Sequence, residues 1–328
     1  MGDTGRLRPH RSVCDEEAQL THIGKRASLG SNQLTHTKIA TMYTKTAKIF
    51  LRRINMIIFQ NKHVTVFQSP LYQTNSTVIE TDDCLLVVDP TYLPHEIQEI
   101  QEFVEKRKQN KKVYLFITHG DFDHIVGYSA FPDAICIGSI DLKNHPQKEK
   151  KIEIANQFDR DFFIERNIPF SFPELDIVIY EDGHQVKEGN TTLTFYTSPG
   201  HTKDGLFAVI EELGIWIVGD YLSNFELPFA YYSVKDYFST LDKATNILNS
   251  YQISLLVPGH GKVSTDPKEI EQRINVAKSF LLRLKEAVLH NDVDEINKLE
   301  KEILFPSDFT RNCHQTNIQL IKEEFINV

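Results

Sequence analysis

The pattern of this 328-residue chain is that of an α/β protein. Short runs of β-branched, aromatic and leucine residues recur between residues 57 and 257, with helical periodicity in the segments between them. Four of those runs end in turns that carry His or Asp beside glycine. Beyond residue 266 the periodicity is helical. The expected organisation is an N-terminal extension over 1–55, a catalytic domain over 56–265, and a C-terminal helical extension over 266–328 that packs on it.

Residues 1–55 hold no sustained apolar periodicity and are rich in Thr, Ser, Arg and Gly. Such a composition buries too little to offset its ordering entropy, so disorder is expected there. The basic character raises a mitochondrial presequence, but Asp15, Glu16 and Glu17 oppose it, and no apolar signal core is seen. Met56 leads straight into a strand and reads as a natural chain start. Strands are then expected at 63–67, 75–80 and 84–88, the last ended by Asp89-Pro90. Ile97, Ile100 and Val104 share one face of a helix over 96–107. The strand 113–117 runs into Thr118-His119-Gly120-Asp121-Phe122-Asp123-His124. Metal-type ligands thus sit at a strand's carboxyl end, where α/β proteins place chemistry.

Strands at 176–180 and 192–196 follow, the second leading into Ser198-Pro199-Gly200-His201. A hairpin of 206–210 and 215–218 ends at Gly219-Asp220. A helix around 241–248 precedes the strand 253–257, which delivers Pro258-Gly259-His260-Gly261. Ile270, Ile274, Ala277, Leu281, Leu284 and Val288 line one face of a helix over 267–290, and a second helix covers about 293–303.

Apolar residues at 41% and charged residues at 25% are ordinary for a globular protein, so a buried core is expected. The longest apolar stretches are strand-sized, far below the roughly 18 residues of a membrane helix, and no membrane span is expected. Cys14, Cys84, Cys136 and Cys313 lie far apart with no C-x-x-C pair, which fits a reducing, cytoplasmic compartment and disfavours a thiolate metal site. Residues 1–55 carry ten Lys/Arg against four acidic residues, or +6, so of the net −9 the rest of the chain holds −15. An acidic body argues against a nucleic-acid partner, because such proteins neutralise phosphates with basic grooves. A small-molecule substrate is the expectation that remains.

A single histidine is more often a hydrogen-bonded core or surface residue than a ligand. Nine of the thirteen are read that way, among them His63, His95, His145, His184 and His314. The joint pattern differs: H-x-D-x-D-H after one strand, P-G-H-T after another, G-D after a third and P-G-H-G after a fourth. Glycine at each turn lets the chain bring its neighbour close to a common centre. Histidine and carboxylate side chains converging in this number point to divalent metal ions.

Thr118-His119-Gly120-Asp121-Phe122-Asp123-His124-Ile125-Val126-Gly127 resembles the H-x-H-x-D-H signature of the metallo-β-lactamase superfamily, with its trailing glycine. Ser198-Pro199-Gly200-His201-Thr202, Val218-Gly219-Asp220 and Val257-Pro258-Gly259-His260-Gly261 resemble the remaining motifs, over about residues 57–265. The resemblance implies an αββα sandwich with a dinuclear site at the sheet edges. It implies that His119, Asp121 and His201 hold one divalent ion, that Asp123, His124 and His260 hold the other, and that Asp220 and a hydroxide bridge them. It implies a hydrolase, in which two ions acidify a shared water and an open coordination position polarises a carbonyl or phosphoryl oxygen. Asp123 would orient that hydroxide or carry its proton, and it forms the expected catalytic pair with Asp220. Tyr221, Tyr231 and Tyr232 are read as oxyanion donors or, equally, as packing residues.

Asp121 departs from the signature, whose second position is His. Three Asp ligands and a hydroxide give −4 against +4 from two divalent ions, whereas the usual set leaves +1. A less electrophilic, harder site is expected, which moves preference from zinc toward manganese or iron. The shorter reach of Asp allows binding through water, with one site weakly occupied. Asp220 stands where true β-lactamases mostly carry Cys and where the glyoxalase II and lactonase branches carry Asp. This disfavours antibiotic hydrolysis and favours a small ester, thioester, lactone or phosphoester. An alternative is a carboxylate-rich diiron protein that reacts with or senses oxygen or nitric oxide, resembling flavodiiron proteins, although the chain shows no flavin-binding companion domain. A non-enzymatic binding module is the third reading, opposed by the full ligand set. Seven aromatics within 221–238 are expected to wall an apolar pocket or to fill core, and residues 141–172 read as a lid.

Overall fold

The computed structural model describes residues 56–326. The expectations for residues 1–55 lie outside them. The first sheet runs in the order β1 (Ile57–Gln60), β2 (Val64–Gln68), β3 (Asn75–Glu80), β4 (Cys84–Val88), β5 (Lys112–Phe116), β6 (Ile135–Ser139) and β7 (Ile177–Ile179). Up to β4 it is an antiparallel meander, and from β4 to β7 it is parallel. Parallel neighbours need crossovers, and helices supply them. Helix α1 (Pro94–Lys108) joins β4 to β5, α2 (Phe122–Ile125) follows β5, and α3 (Ile140–Lys143) and α4 (Lys148–Asp161) precede β7.

The second sheet comprises β8 (His184–Glu188), β9 (Thr191–Thr197), β10 (Leu206–Ile210), β11 (Ile215–Ile217) and β12 (Leu255–Val257), in the spatial order β12-β11-β10-β9-β8. Helix α5 (Val234–Ser250) carries the crossover between the parallel strands β11 and β12. Helices α6 (Pro267–Leu289), α7 (Val293–Lys301) and α8 (Asp308–Phe325) complete the described chain.

Side-chain alternation along the strands explains the layering. In β4, Cys84, Leu86 and Val88 join the core between the sheets, while Leu85 and Val87 meet Ile97, Ile100 and Val104 of α1. In β10, Leu206, Ala208 and Ile210 face the first sheet, and Phe207 and Val209 face the helices that follow β11. Trp216 and Leu256 repeat that choice in β11 and β12, packing with Leu241 of α5, Leu281 of α6, Leu299 of α7 and Ile321 of α8. The result is the αββα sandwich. No helix among the described residues is long and apolar enough to cross a membrane.

Six elements have no counterpart in the expected pattern, two of them the four-residue helices α2 and α3. Strand β6 reads ICIGS, too short for a period to show, and β8 (HQVKE) is a polar strand at the sheet's edge. Helix α4 occupies the expected lid region and buries only Ala155 and Asp159. Helix α8 buries His314 and Asn317 among Cys313, Ile318 and Ile321, so polar residues interrupt its apolar stripe.

Candidate metal centre

All seven expected ligands come together. His119 lies just beyond β5, Asp121 precedes α2, and Asp123 and His124 sit within it. His201 follows β9, Asp220 follows β11 and His260 follows β12. Two glycines are required by the close approach of these turns. Gly219 has φ of +49°, and a Cβ on Gly259 would lie 2.5 Å from Asp220 Oδ1 and 2.9 Å from His124 Cε1.

The ligand atoms form two groups joined by one carboxylate. Asp220 Oδ2 is 3.2 Å from His201 Nε2 and 3.5 Å from His119 Nε2, and Asp121 Oδ2 is 3.3 Å from His201 Nε2. The other oxygen, Asp220 Oδ1, is 3.0 Å from His124 Nε2 and 3.2 Å from His260 Nε2, with Asp123 Oδ2 3.5 Å from His260 Nε2. Four ligands at about 2.1 Å around a tetrahedral ion stand about 3.4 Å from one another, so both groups have the right spacing for a divalent metal.

The donor set also fits one. Nε2 of His119, Nε2 of His201 and Oδ1 of Asp220 are buried with no hydrogen-bond partner among the described residues. Burial opposes charge on His201, yet the facing carboxylates of Asp121 and Asp220 outweigh it and raise its pKa to about 10. Burial likewise opposes charge on His260, and Asp220 and Glu226 raise it to about 10. Asp121 and Asp220 are held well below the usual carboxylate range, against burial, by the surrounding histidines and, for Asp121, by Lys151. Such a cluster recruits positive charge, as protons or as metal.

Each imidazole is aimed by its other nitrogen. His124 Nδ1 donates to Asp89 Oδ2 at 2.9 Å, His260 Nδ1 to the Tyr72 carbonyl at 2.9 Å, and His201 Nδ1 to the Phe229 carbonyl at 2.6 Å. Thr118 Oγ1 donates to Asp89 and therefore accepts from His119 Nδ1, at 3.0 Å. These contacts fix tautomers with Nε2 directed at the centre, the usual arrangement around metal-binding histidines. Asn317 of α8 holds the Phe229 segment by accepting from Ala230 N and donating to the Pro228 carbonyl, both at 2.8 Å.

Sequence reasoning missed Asp89, Lys151 and Glu226. Asp89 ends β4, beside the strand that carries His119, and that adjacency was the available signal. Lys151 of α4 donates to Asp121 Oδ1. Its ammonium restores the unit of charge that Asp121 removes, which corrects the charge balance drawn from the ligands alone. Glu226 lines the cavity over the centre, and burial pushes its carboxyl up to about 7. That cavity measures about 940 Å³, and Phe122, His145, Lys151, Tyr231 and Tyr232 contribute to its wall.

The aromatics of 221–238 divide between the two expected roles. Tyr221 and Tyr237 belong to the core, and the Tyr221 hydroxyl accepts from His201 N at 3.0 Å and donates to the Pro199 carbonyl at 2.9 Å. It packs and ties the His201 loop, and is not an oxyanion donor. Phe229, Tyr231 and Tyr232 wall the cavity.

A family model described as the metallo-beta-lactamase superfamily matches residues 69–260, more than half of the chain and a span that holds all seven ligand positions. The chain belongs to the metallo-beta-lactamase superfamily. A metallo-beta-lactamase type 2 from Bacillus sp. (strain 170) is 25% identical over 227 residues, covering 67% of this chain and 79% of that protein. A beta-lactamase-like protein 2 homolog from Caenorhabditis elegans is 28% identical over 191 residues, covering 57% of this chain and 56% of the homolog. Among solved structures, a metallo-beta-lactamase family protein from Thermus thermophilus matches with a TM-score of 0.58 at 17% identity, over 80% of this chain and 94% of that one. A stereoselective inverting sec-alkylsulfatase from Pseudomonas sp. matches with a TM-score of 0.60 at 12% identity, over 83% of this chain, which spans 50% of the sulfatase's length. At these identities the structural likenesses show the fold. Superfamily membership supports a metal-dependent hydrolase.

Proposed function

We propose that this superfamily member hydrolyses a small ester, thioester, lactone or phosphoester at a dinuclear divalent-metal centre. The observation that carries the reading is Asp220, whose two oxygens each belong to a separate group of His and Asp donors. His119, Asp121, His201 and Asp220 would hold one ion, and Asp123, His124, His260 and Asp220 the other. Bound there, divalent ions supply Lewis acidity that polarises the scissile bond's oxygen and acidifies a water molecule.

The chain's own groups do the rest. Asp123, buried at the cavity floor 3.5 Å from His260, is placed to accept a proton from the attacking water or to orient it. Asp89, Tyr72 and Phe229 hold the imidazoles in register. Lys151 offsets Asp121, which leaves the oxygen-rich donor set as the argument for manganese or iron over zinc.

The test is a chelated, metal-free protein titrated with zinc, manganese or iron(II) and assayed on aryl ester and phosphoester substrates. Turnover that returns in step with two equivalents of metal is expected. Iron bound at full stoichiometry, with no turnover of any ester, would favour the diiron oxygen or nitric oxide reading instead.

A further inference from the structure

A second cavity of about 300 Å³ opens beside the first, bounded by Phe225, Leu227, Ile303, Leu304 and Phe305. Tyr72, Glu226, Leu227, Phe229 and Phe309 line both cavities, so the two adjoin. The side cavity is linked to the candidate metal centre through Tyr72, which forms part of its wall and accepts from His260 through its carbonyl. Tyr72 and Gln73 take φ of +54° and +50°, a backbone state costly for such residues, and one that concentrates at ligand-binding positions. Aromatic pairs build the walls: Tyr72 and Phe309 with centroids 5.8 Å apart, Phe225 and Phe305 at 5.5 Å.

We propose that this side cavity seats the apolar chain of the substrate, and that the substrate class is a neutral ester, thioester or lactone bearing a medium-length apolar group. The inference rests on the hydrolase reading and narrows it. An apolar cavity of about 150 Å³ accepts benzene, so 300 Å³ has room for an octanoyl-sized chain. Phe305 is 62% exposed, Phe309 50% and Leu304 56%, an apolar surface of the kind that marks a ligand groove. Charge disfavours the phosphoester. Among the described residues, the lysines lining the larger cavity are Lys151 and Lys203, paired with Asp121 and Asp141, whereas Asp204 adds a carboxylate. A phosphoester would bring its own negative charge to a wall whose lysines are already paired, which leaves the metal ions alone to receive it.

The experiment uses full-length, metal-loaded protein with 4-nitrophenyl esters from acetyl to decanoyl and with bis(4-nitrophenyl) phosphate. The kcat/KM should rise from acetyl to octanoyl by up to about fourfold per methylene, with the phosphodiester the poorest substrate. Phe305→Ala and Phe309→Ala alter side chains at least half exposed, so folding is not at stake, and each should flatten the chain-length slope. Calorimetry should show octanoate binding more tightly than acetate in the parent protein and less selectively in both variants. Ester hydrolysis with a flat slope, or preference for the phosphodiester, overturns the substrate assignment and leaves the hydrolase standing. Absence of all ester turnover with octanoate still preferred would overturn the hydrolase reading while supporting the cavity's role.

Discussion

Replacing Lys151 by methionine removes a positive charge without shortening the side chain much, and it isolates what that charge does for the centre. The Lys151 side chain is 21% exposed and hydrogen-bonded to Asp121, whose side chain is 15% exposed, so solvent screens the pair only in part. With Asp121 interposed, the charge lies about 6 Å from the centre, where one unit is worth about 3 kcal/mol at an effective dielectric of about 20. At about 1.4 kcal/mol per pKa unit, and with water in the open cavity reducing the effect, this amounts to about one to two units. The acid limb of the pH profile of kcat/KM should therefore rise by about one to two units in Lys151→Met. In Lys151→Arg, which keeps the charge, it should stay within a few tenths of a unit. Asp121→His should lower the limb by a similar amount, and combining it with Lys151→Met should bring the limb back near that of the parent. A Lys151→Met limb that does not move, or an Asp121→His shift that Lys151→Met fails to reverse, would refute the compensation argument.

Three further outcomes are expected. Asp89→Asn should cut metal affinity at the His124 site by about 10- to 100-fold, measured by competition with a chromogenic chelator, since the ring loses its carboxylate anchor. Asn317→Ala removes both hydrogen bonds to the Pro228–Ala230 segment and should lower unfolding free energy in urea by about 1–3 kcal/mol; an unchanged midpoint would show that α8 does not support the site. In metal-free protein, His201 and His260 have pKa values raised from 6.5 to about 10, so their contribution to stability is complete below pH 6.5 and is lost as pH rises through 10. The thermal midpoint of the metal-free protein should thus fall from pH 7 to 10 more steeply than that of the metal-loaded protein, in which the metal has already displaced those protons.

The seven candidate ligands were legible because their motifs each follow an apolar strand at a glycine-marked turn, and the strand and turn are both local signals. The partners that aim the ligands were not. Tyr72 and Phe229 act through backbone carbonyls, which leave no mark in side-chain pattern, and Tyr72 meets His260 across 188 positions. Lys151 belongs to α4, whose apolar stripe is thin because one side of the helix borders the open cavity. The sandwich itself followed from resemblance, and the strand alternation accounts for it. Strand β8 escaped notice because an edge position lets it carry His, Gln, Lys and Glu, with Val186 alone packing against the core. The charge balance was incomplete for the same reason as the anchors: it summed the residues of the motif, while Lys151 comes from another element.

The central claim is that Asp220 joins two metal sites, and counting metal in the parent protein and in Asp220→Ala, by mass spectrometry after equilibration with a slight excess of zinc or manganese, tests it most directly. Two ions per chain are expected in the parent, and one or fewer in the variant with turnover lost, because both donor groups lose an oxygen and two cations would face each other with less negative charge between them. Two ions per chain and full activity in Asp220→Ala would contradict it.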